Sequence, residues 1–360
     1  MKKVLILSAS YGEGHNAAAR GLQMAVAQQG AAEAEVYDPF PEALGALYDR
    51  SRRDYLRLIE HWPRLWAFVY WLLHNTPLIY FTLPGLGKVR EALRRKVDAM
   101  QPDVVVSVYP VYSFMLNALY PRRAFRLYTV VTDSITINSV WHRSPSDAWL
   151  VPNEHSAEVM RDAGVPADRV RNLGFPVPPI FAQERPERPL PGDGEPLRML
   201  YMINAEKSAA PALIARLLEV DGVALTITAG RDEALRAAVE QVVRHSGKTA
   251  EIHGWTNKMP ELVMRHHVMI GKAGGAAVQE AIAARTPMVL TKVVPGQEEG
   301  NARLLVENGA GRICETPEAI VDALQSLAFK DGRLWREWEA NITKLSRPDA
   351  ALRIAEEILK

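Results

Sequence analysis

The sequence has little cysteine, little net charge and no long hydrophobic run, and each shortage excludes a class of protein. Cys314 is the single cysteine among 360 residues, so no intrachain disulfide can form, as expected for a protein of a reducing compartment. The 43 basic residues nearly balance the 42 acidic ones, and a net charge of +1 gives no argument for nucleic-acid binding. No apolar run approaches the roughly 20 residues that a membrane-spanning helix needs. We therefore expect a cytoplasmic protein that does not cross the membrane.

The signatures of bound cofactors and metals are also missing. The loop after the first predicted strand, Val4–Ser8, contains Gly12 and Gly14 but lacks the third glycine of a dinucleotide-binding motif. The chain has no Cys/His cluster with the spacing of a zinc site, and no aspartate pair suited to a divalent cation beside a diphosphate. We predict neither a metal nor a cofactor.

Predicted strands and helices alternate through both halves of the chain, which favours an α/β fold with doubly wound sheets. Seven of the 24 prolines fall between Pro176 and Pro196, mixed with Asp, Glu and Gly, and such a stretch is typical of a linker. The length suffices for two domains, each with its own core. We predict an N-terminal domain over residues 1–185, a C-terminal domain over 186–345, and a last helix over 346–360 that packs back on the first domain.

The second half contains a glycine-rich turn with the features of a phosphate site. The apolar run Val268–Ile270 predicts a buried strand, Gly274 and Gly275 end it, and Ala276–Ala284 predicts a helix. A helix N-terminus offers free N–H groups and a partial positive charge, which suit a phosphate. Glu280 lies one turn into this helix, where its carboxylate can accept hydrogen bonds from ribose hydroxyls.

A second polar cluster follows the next predicted strand, Pro287–Leu290. Gln297, Glu298 and Glu299 come after the carboxyl end of that strand, where ligands of doubly wound folds bind. Their amide and carboxylate groups are suited to sugar hydroxyls. With the glycine-rich turn, this cluster predicts a pocket for a nucleotide sugar.

Polar residues also follow predicted strands in the first half. Gly12 and Gly14 lie in a loop that ends in His15 at the start of a helix, which suits an anion or acceptor site, or only a tight turn. Asp133 ends the predicted strand Arg126–Thr132, where doubly wound folds place their chemistry. The alternative for Asp133 is a helix cap or a turn.

Between Arg50 and Lys96 the chain is basic and aromatic. Ten lysines and arginines stand against three acids, and eight of the chain's Phe, Trp and Tyr residues lie here, among them Tyr80 and Phe81. Interfacial segments place rings at the headgroup level and cations toward anionic lipid, so we predict contact with the membrane or an acceptor lipid. Pro84 helps to divide the segment into short helices. The alternative is that the rings cap the domain core and the arginines form a solvated face. The residues predicted to make the contact are Trp62, Trp66, Phe68, Tyr70, Trp71, Arg90, Arg94 and Arg95.

Four motifs carry a resemblance to a known family. They are Ser8-Ala-Ser-Tyr-Gly-Glu-Gly-His15, Val131-Thr-Asp133, Gly271-Lys-Ala-Gly-Gly275 with Glu280, and Pro295-Gly-Gln-Glu-Glu-Gly-Asn301. Over nearly its whole length the chain resembles the GT-B glycosyltransferases of the monogalactosyldiacylglycerol synthase and processive diacylglycerol glucosyltransferase family. It is more distantly similar to the lipid-linked N-acetylglucosaminyltransferase of peptidoglycan synthesis. The resemblance implies two Rossmann-like doubly wound domains facing a cleft.

The resemblance also implies a reaction and a role for each motif. A hexose passes from UDP-glucose or UDP-galactose to diacylglycerol or a related lipid, with inversion and without a metal, on the cytoplasmic face of a membrane with anionic lipids. His15 and Asp133 lie near the acceptor hydroxyl, and one of them is the base. The ribose is held by Glu280, the diphosphate faces the Gly274-Gly275 turn, and the donor sugar meets Gln297 and Glu298. Backbone groups around Trp255 and Thr256 pair with the uracil.

One position departs from the family pattern. Family members often carry a glycine-rich loop after the first strand of the second domain, whereas this loop is Ile203-Asn-Ala-Glu-Lys-Ser208, without glycine. Either Lys207 and Ser208 contact the phosphates through their side chains, or donor affinity is reduced. The missing glycines leave open a weakly active relative that binds lipid. A UDP-sugar epimerase with the same two-domain plan is a further alternative, although the basic, aromatic segment argues against it.

Overall fold

The computed structural model describes residues 1–77, 86–183, 188–189, 194–328 and 332–360. Contacts within the chain divide it into two compact units. The first is Met1–Pro179 with Val294–Gly300 and Arg347–Lys360, and the second is Ile180–Val293 with Asn301–Ser346. The predicted domain boundary at residues 185 and 186 lies outside the described residues, as do Tyr80, Phe81 and Pro84 of the predicted lipid-contacting segment.

The first unit is built on a parallel sheet. Its strands are β1 Lys2–Leu7, β2 Ala32–Tyr37, β3 Val104–Ser107, β4 Arg126–Val130, β5 Ala148–Val151 and β6 Val170–Asn172, in the order β2-β1-β3-β4-β5-β6. The α-helices in this part of the chain are α1 Glu13–Gln29, α2 Pro39–Leu44, α3 Ala46–His61, α4 Pro63–Asn75, α5 Gly87–Met100, α6 Val111–Leu119 and α7 Glu154–Asp162.

The second unit repeats the plan. Its strands are β7 Leu197–Met202, β8 Val223–Thr228, β9 Glu251–His253, β10 Val268–Gly271, β11 Met288–Leu290 and β12 Gly311–Ile313, in the order β12-β11-β10-β7-β8-β9. The helices of this half of the chain are α8 Ala210–Leu217, α9 Glu233–Ser246, α10 Met259–Arg265, α11 Gly275–Ala283, α12 Glu299–Val306, α13 Pro317–Ala328 and α14 Arg333–Leu345. The last helix, α15 Ala350–Leu359, belongs to the first unit, where the Leu352 carbonyl accepts a hydrogen bond from Gln29 of α1 at 3.1 Å.

The central strands of each sheet are buried on both faces. Residues 4–7 of β1 and residues 268–270 of β10 are all fully buried. Continuous apolar strands are typical of parallel sheets that helices cover on both sides. The predicted α/β class with doubly wound sheets is confirmed.

The strand order reverses once in each sheet. The chain passes from β1 outward to β2 and returns to β3 on the other side of β1, so the loops after β1 and β3 diverge. The same reversal separates β7 from β10 in the second sheet. Ligands of doubly wound folds bind at such reversals, beyond the carboxyl ends of the strands.

The basic, aromatic segment is helical in its described part. Helices α3, α4 and α5 are 16, 13 and 14 residues long, and are thus longer than the short helices that the sequence predicted. The break between α3 and α4 falls at Trp62, and Pro63 opens α4 at a position where the missing N–H costs nothing.

Candidate active site

His15 lies in the first turn of α1, next to the loop that follows β3. Its Nδ1 is 2.8 Å from the carbonyl oxygen of Val108 and 3.0 Å from Oγ1 of Thr132. Because a carbonyl oxygen can only accept, Nδ1 carries the proton, and Nε2 of the neutral ring keeps its lone pair. Burial lowers the pKa of His15 to about 4, although the bond to Val108 opposes this change. The ring is therefore neutral at pH 7 and can accept a hydrogen bond at Nε2.

Asp133 lies just beyond the carboxyl end of β4. Its Oδ2 accepts a hydrogen bond of 2.7 Å from Nε1 of Trp141. Burial raises the pKa of Asp133 to about 6, and the bond from Trp141 opposes the rise. The carboxylate is therefore mostly ionised at pH 7, yet it is a stronger base than an exposed aspartate.

Trp141 brings these two groups together. Its ring centroid lies 6.1 Å from that of His15, while its Nε1 donates to Asp133. Trp141 is fully enclosed, and its carbonyl oxygen accepts a hydrogen bond of 3.0 Å from Trp149 Nε1. The structure thus gathers an imidazole and a carboxylate that are far apart in the chain at the reversal between β1 and β3.

Sequence reasoning missed Trp141 and Thr132. Thr132 directly precedes Asp133 at the end of a strand, so its position was a usable signal. Nothing local distinguishes Trp141 from an ordinary core tryptophan, because its role comes from a contact across a turn.

The glycine-containing loop after β1 is held by side chains. The N–H and the hydroxyl of Ser10 both donate to Asp38 Oδ2 at 3.0 Å. Gly12 precedes α1 in an extended conformation and provides no side-chain cap, and Gly14 lies in the first turn. An uncapped first turn leaves N–H groups for an anion or a hydroxyl, which is compatible with the predicted acceptor site.

The segment Val294–Gly300 belongs to the first unit and packs on the loop that follows Asp133. Thr136 Oγ1 donates to the Gly296 carbonyl at 3.2 Å and accepts from the Gly300 N–H at 3.1 Å. A Cβ at Gly300 would lie 1.7 Å from the Ser134 carbonyl oxygen, so no other residue fits without movement. Gly296 has a φ of +77°, which favours glycine. Both glycines of this motif are therefore required by the packing.

Gln297 and Glu298 lie on this segment. Gln297 Oε1 accepts a hydrogen bond of 3.3 Å from the hydroxyl of Tyr55 on α3, and burial raises the pKa of Tyr55 to about 12, so the phenol stays protonated. Glu298 is buried, and its Oε2 accepts from the Val294 N–H at 3.1 Å, which stabilises the turn. Their contacts with a donor sugar stay predictions.

Helix α4 presents an exposed apolar stripe. Trp62, the residue before the helix, and Leu65, Phe68 and Trp71 within it are all about half exposed or more. The rings of Phe68 and Trp71 stack, with centroids 6.1 Å apart. Three of the five aromatic residues predicted to contact lipid thus lie on the outer face.

The other two, Trp66 and Tyr70, lie on the inward face of α4. The ring of Trp66 meets that of Tyr55 edge to face at 5.2 Å. The hydroxyl of Tyr70 donates to the Thr136 carbonyl at 3.0 Å. Trp66 thus packs on α3, and Tyr70 contacts the loop after Asp133.

The arginines predicted to contact lipid differ in their partners. Arg94 pairs with Glu91 at 2.7 Å, and Arg95 pairs with Glu42 at the same distance. Arg90 is exposed and has no ion pair with any residue that the structure describes. Exposed ion pairs contribute little stability, but here they balance the charge of Arg94 and Arg95 locally.

In the second unit the predicted phosphate turn lies at the reversal between β7 and β10. Gly274 precedes α11 without a side-chain cap, and Gly275 is the first residue of that helix. Asn204, in the loop after β7, accepts a hydrogen bond of 2.9 Å from the Lys272 N–H and ties the two loops together. Glu280 is partly buried on α11. The predicted phosphate and ribose contacts thus lie on one helix.

The glycine-free loop after β7 exposes Lys207 and Ser208. Lys207 Nζ lies 2.9 Å from Oδ2 of Asp232, whose other oxygen caps α9. Any phosphate contact by Lys207 must therefore compete with this ion pair.

The predicted uracil contacts lie in the turn after β9. Trp255 is exposed, with the Arg231 guanidinium 5.0 Å above its ring. Thr256 Oγ1 accepts from the Lys258 N–H at 3.0 Å, which holds the turn.

Within the described residues, no group of three or more His, Cys, Asp or Glu side chains is arranged to hold a metal ion. In the same part of the chain, the helices are all too short or too polar to cross a membrane.

Comparison with known proteins finds a match for each half of the chain. Residues 15–177 match the family model of monogalactosyldiacylglycerol (MGDG) synthase, and residues 208–353 match that of the glycosyltransferase family 28 C-terminal domain. A processive diacylglycerol beta-glucosyltransferase of Bacillus cytotoxicus is 26% identical over 373 residues, which cover 99% of this chain and 93% of the relative.

Solved structures share the fold. MurG of Acinetobacter baumannii has a TM-score of 0.62 at 15% identity, with 99% of each chain covered. The UDP complex of MnaA from S. aureus reaches 0.65 at 13%, covering 99% of this chain and 96% of that one. UDP-GlcNAc 2-epimerase from Neisseria meningitidis has a TM-score of 0.61 at 12%, over the whole of both chains. At these identities the likeness concerns the fold alone.

The fold and the family matches define a GT-B glycosyltransferase built from two Rossmann-like domains. Residues 15–177 are thus similar to the monogalactosyldiacylglycerol synthase family, and residues 208–353 are similar to glycosyltransferase family 28. The resemblance predicted from the motifs is confirmed.

Proposed function

We propose that the protein transfers a hexose from UDP-glucose or UDP-galactose to the free hydroxyl of diacylglycerol or a related lipid, with inversion and without a metal ion. The observation that carries this proposal is the pair of His15 and Asp133, each of which contacts Trp141 at the carboxyl edge of the first sheet. The Bacillus cytotoxicus relative is named a processive diacylglycerol beta-glucosyltransferase, which supports diacylglycerol as the class of acceptor.

The acceptor hydroxyl must lose its proton as its oxygen attacks the anomeric carbon and the bond to UDP breaks. Asp133 is the proposed base, because its pKa of about 6 makes it a stronger proton acceptor than His15, whose pKa is about 4. His15 Nε2 orients the hydroxyl by accepting a hydrogen bond. The proton ends on Asp133, and general-base catalysis of this kind accelerates a reaction by roughly 10²- to 10⁴-fold.

UDP leaves as an anion, and the N-terminus of α11 at Gly275 is its proposed cradle. The uncapped N–H groups and the helix dipole stabilise the charge that develops on the diphosphate. Glu280 accepts from the ribose, backbone groups around Trp255 and Thr256 pair with the uracil, and Gln297 and Glu298 meet the sugar.

Helix α4 is the proposed membrane contact. Its stripe of Trp62, Leu65, Phe68 and Trp71 is apolar, exposed and too short to span, which suits an element lying in the interface of the cytoplasmic leaflet. Arg90, which pairs with no acid among the described residues, is proposed to contact anionic lipid, whereas Arg94 and Arg95 share their charge with acids.

The test is an assay of the wild-type protein with UDP-glucose and with UDP-galactose, each with diacylglycerol in vesicles, in the presence and absence of EDTA. We expect a glycolipid of inverted anomeric configuration from at least one donor, in equal amounts with the chelator. Epimerised UDP-sugar without lipid would favour an epimerase instead. No product and no UDP affinity by calorimetry would favour a weakly active lipid-binding relative.

A further inference from the structure

Tyr70 connects the exposed helix α4 to the loop that follows the proposed base. We propose that Tyr70 is a positioning residue for sugar transfer, which holds the loop after Asp133 and the segment Gly296–Gly300 in one arrangement and makes that arrangement depend on α4. This inference rests on the proposed function for its kinetic consequence, but its structural part can be tested separately.

Both ends of Tyr70 bond to the same loop. The side-chain hydroxyl donates to the Thr136 carbonyl at 3.0 Å, and the main-chain carbonyl accepts from Asn138 Nδ2 at 3.1 Å. Between these two bonds the ring packs on Gly296, where an added Cβ would come within 3.0 Å of the ring atom Cδ1. One residue of α4 therefore contacts two separate pieces of chain.

Thr136 joins these two pieces to each other. Its hydroxyl donates to the Gly296 carbonyl at 3.2 Å and accepts from the Gly300 N–H at 3.1 Å. Gln297, which we propose to meet the donor sugar, lies between those glycines. Any shift of Thr136 therefore moves the backbone on both sides of Gln297.

The same loop leads to the residue that holds Asp133. His74, one turn after Tyr70 on α4, accepts at Nδ1 from the Ser139 N–H at 3.2 Å, and its carbonyl accepts from the Ser139 hydroxyl at 2.5 Å. Two residues further on is Trp141, whose Nε1 donates to Asp133 at 2.7 Å. The inward face of α4 thus holds the loop over residues 136–139, between Asp133 and Trp141.

The outward face of α4 connects these inner contacts to the proposed membrane contact. Phe68 and Trp71, on either side of Tyr70 in the sequence, are more than half exposed. A helix whose outer face lies in lipid loses freedom to move, and its inner contacts are then held more firmly. We infer that seating α4 on a membrane favours the arrangement in which Asp133 and Gln297 are both in place.

The first experiment compares Tyr70→Phe with Tyr120→Phe in the full-length protein. Tyr70→Phe keeps the ring on Gly296 and removes the hydroxyl that bonds to Thr136. Tyr120 offers a matched control, since its hydroxyl also bonds within the first unit, to Asp98 at 2.7 Å, but away from this loop. We expect Tyr70→Phe to lower kcat on vesicle-borne diacylglycerol by roughly 10- to 100-fold, the scale of a small misplacement of reacting groups, with unchanged UDP affinity.

The second experiment changes the other partner. Thr136→Val removes both hydroxyl bonds while keeping the shape, and Thr136→Ser restores them. Thr136→Val should lower kcat as Tyr70→Phe does, Thr136→Ser should recover most of it, and the double variant Tyr70→Phe/Thr136→Val should lose less than the product of the two.

Hydrogen exchange of the peptide containing Gly296–Gly300 provides a readout that needs no activity. Exchange should be faster in Tyr70→Phe than in wild type or Tyr120→Phe, and slower in wild type with vesicles than without. Equal exchange in the two variants, or a kcat for Tyr70→Phe that matches Tyr120→Phe, would overturn the positioning role. A wild-type protein that makes no glycolipid would refute the proposed function instead, and the exchange data would still decide the role of Tyr70.

Discussion

At the scale of single residues, Asp133 is more basic than an exposed aspartate, and this basicity lowers the stability of the folded protein. Asp133 is partly buried, and this burial raises its pKa from 3.8 to about 6 against the opposing effect of one hydrogen bond from Trp141. An acid whose pKa is raised on folding destabilises the native state at any pH where the unfolded carboxyl is ionised. The rise corresponds to about 3 kcal/mol at pH 7, a penalty that disappears as the pH falls below about 4. Basicity at this site therefore costs stability.

Replacing Asp133 by Asn should separate the effect of this carboxylate on stability from its effect on catalysis. The amide oxygen can still accept from Trp141, but the buried charge is gone, so we expect the free energy of unfolding at pH 7 to rise by about 1–3 kcal/mol. At the same time kcat should fall by roughly 10²- to 10⁴-fold. Urea unfolding and turnover on diacylglycerol vesicles measure the two effects.

The pH profile adds a control. In wild type, kcat/KM should rise with pH through about pH 6, as Asp133 loses its proton, and this limb should be absent from the residual activity of Asp133→Asn. The variant His15→Ala should keep the limb at a lower rate. If the limb vanished in His15→Ala and persisted in Asp133→Asn, the histidine would be the base.

At the scale of elements, α4 divides its aromatic residues between two tasks. Phe68 and Trp71 are exposed, while Trp66 packs on Tyr55 of α3 and Tyr70 contacts the loop after Asp133. A full aromatic side chain gains about 1.5–3 kcal/mol on leaving water, so we expect two of them to dominate the proposed membrane contact. Ion-paired arginines contribute less.

The double variant Phe68→Ser/Trp71→Ser should therefore lower co-sedimentation with anionic vesicles more than tenfold. The matched control is Arg94→Gln/Arg95→Gln, which changes two neighbouring surface charges that already have partners. We expect a smaller loss for the control, and it should shrink further at high salt. If the arginine variant lost as much binding as the aromatic variant, the contact would be electrostatic.

Helix α11 carries the second prediction at this scale. Because the loop after β7 has no glycine and Lys207 is paired with Asp232, the N-terminus of α11 is the main proposed cradle for the diphosphate. Gly275→Val places a branched side chain there and should abolish UDP binding measured by calorimetry. Gly87→Val is the control, since Gly87 is also the first residue of a helix and has open space around its Cβ position. Unchanged affinity in Gly275→Val would mean that the phosphates bind elsewhere.

At the scale of the whole molecule, buried histidines limit stability in acid. His266 and His267 are almost fully buried, and burial lowers the pKa of each to about 4. A histidine with a lowered folded pKa stabilises the native state above its unfolded pKa of about 6.5, and this contribution is lost as the pH falls toward 4. His15 behaves in the same way, with a pKa of about 4.

Unfolding by urea should therefore show a protein that is markedly less stable at pH 5 than at pH 7. Each of these histidines should contribute about 2 kcal/mol to the difference, and Asp133 should offset part of it because its own penalty shrinks in acid. The variant His266→Gln should depend less on pH than wild type. Equal stability at the two pH values would show that these imidazoles are not kept neutral by burial.

Local sequence determined a large part of this protein. Apolar runs such as Val268–Ile270, ended by glycine, predict buried parallel strands because the alternation of strand, turn and helix is a property of short stretches. The four motifs identified the family, and they placed His15, Asp133 and the Gly274-Gly275 turn at strand ends. Boundaries differed slightly, as for α11, which begins at Gly275 where Ala276 was expected, because helix ends depend on caps and neighbours.

Only the tertiary structure decided which of these residues meet. Thr132 and Trp141 reach His15 and Asp133 because β1, β3 and β4 lie side by side in the sheet, and that adjacency is not written in any one stretch of sequence. Composition likewise identified the aromatic segment, but it did not predict which of its rings face the protein and which face solvent. Trp66 and Tyr70 point inward because Tyr55 and Thr136 are there to pack against and accept from them, and those partners come from other elements.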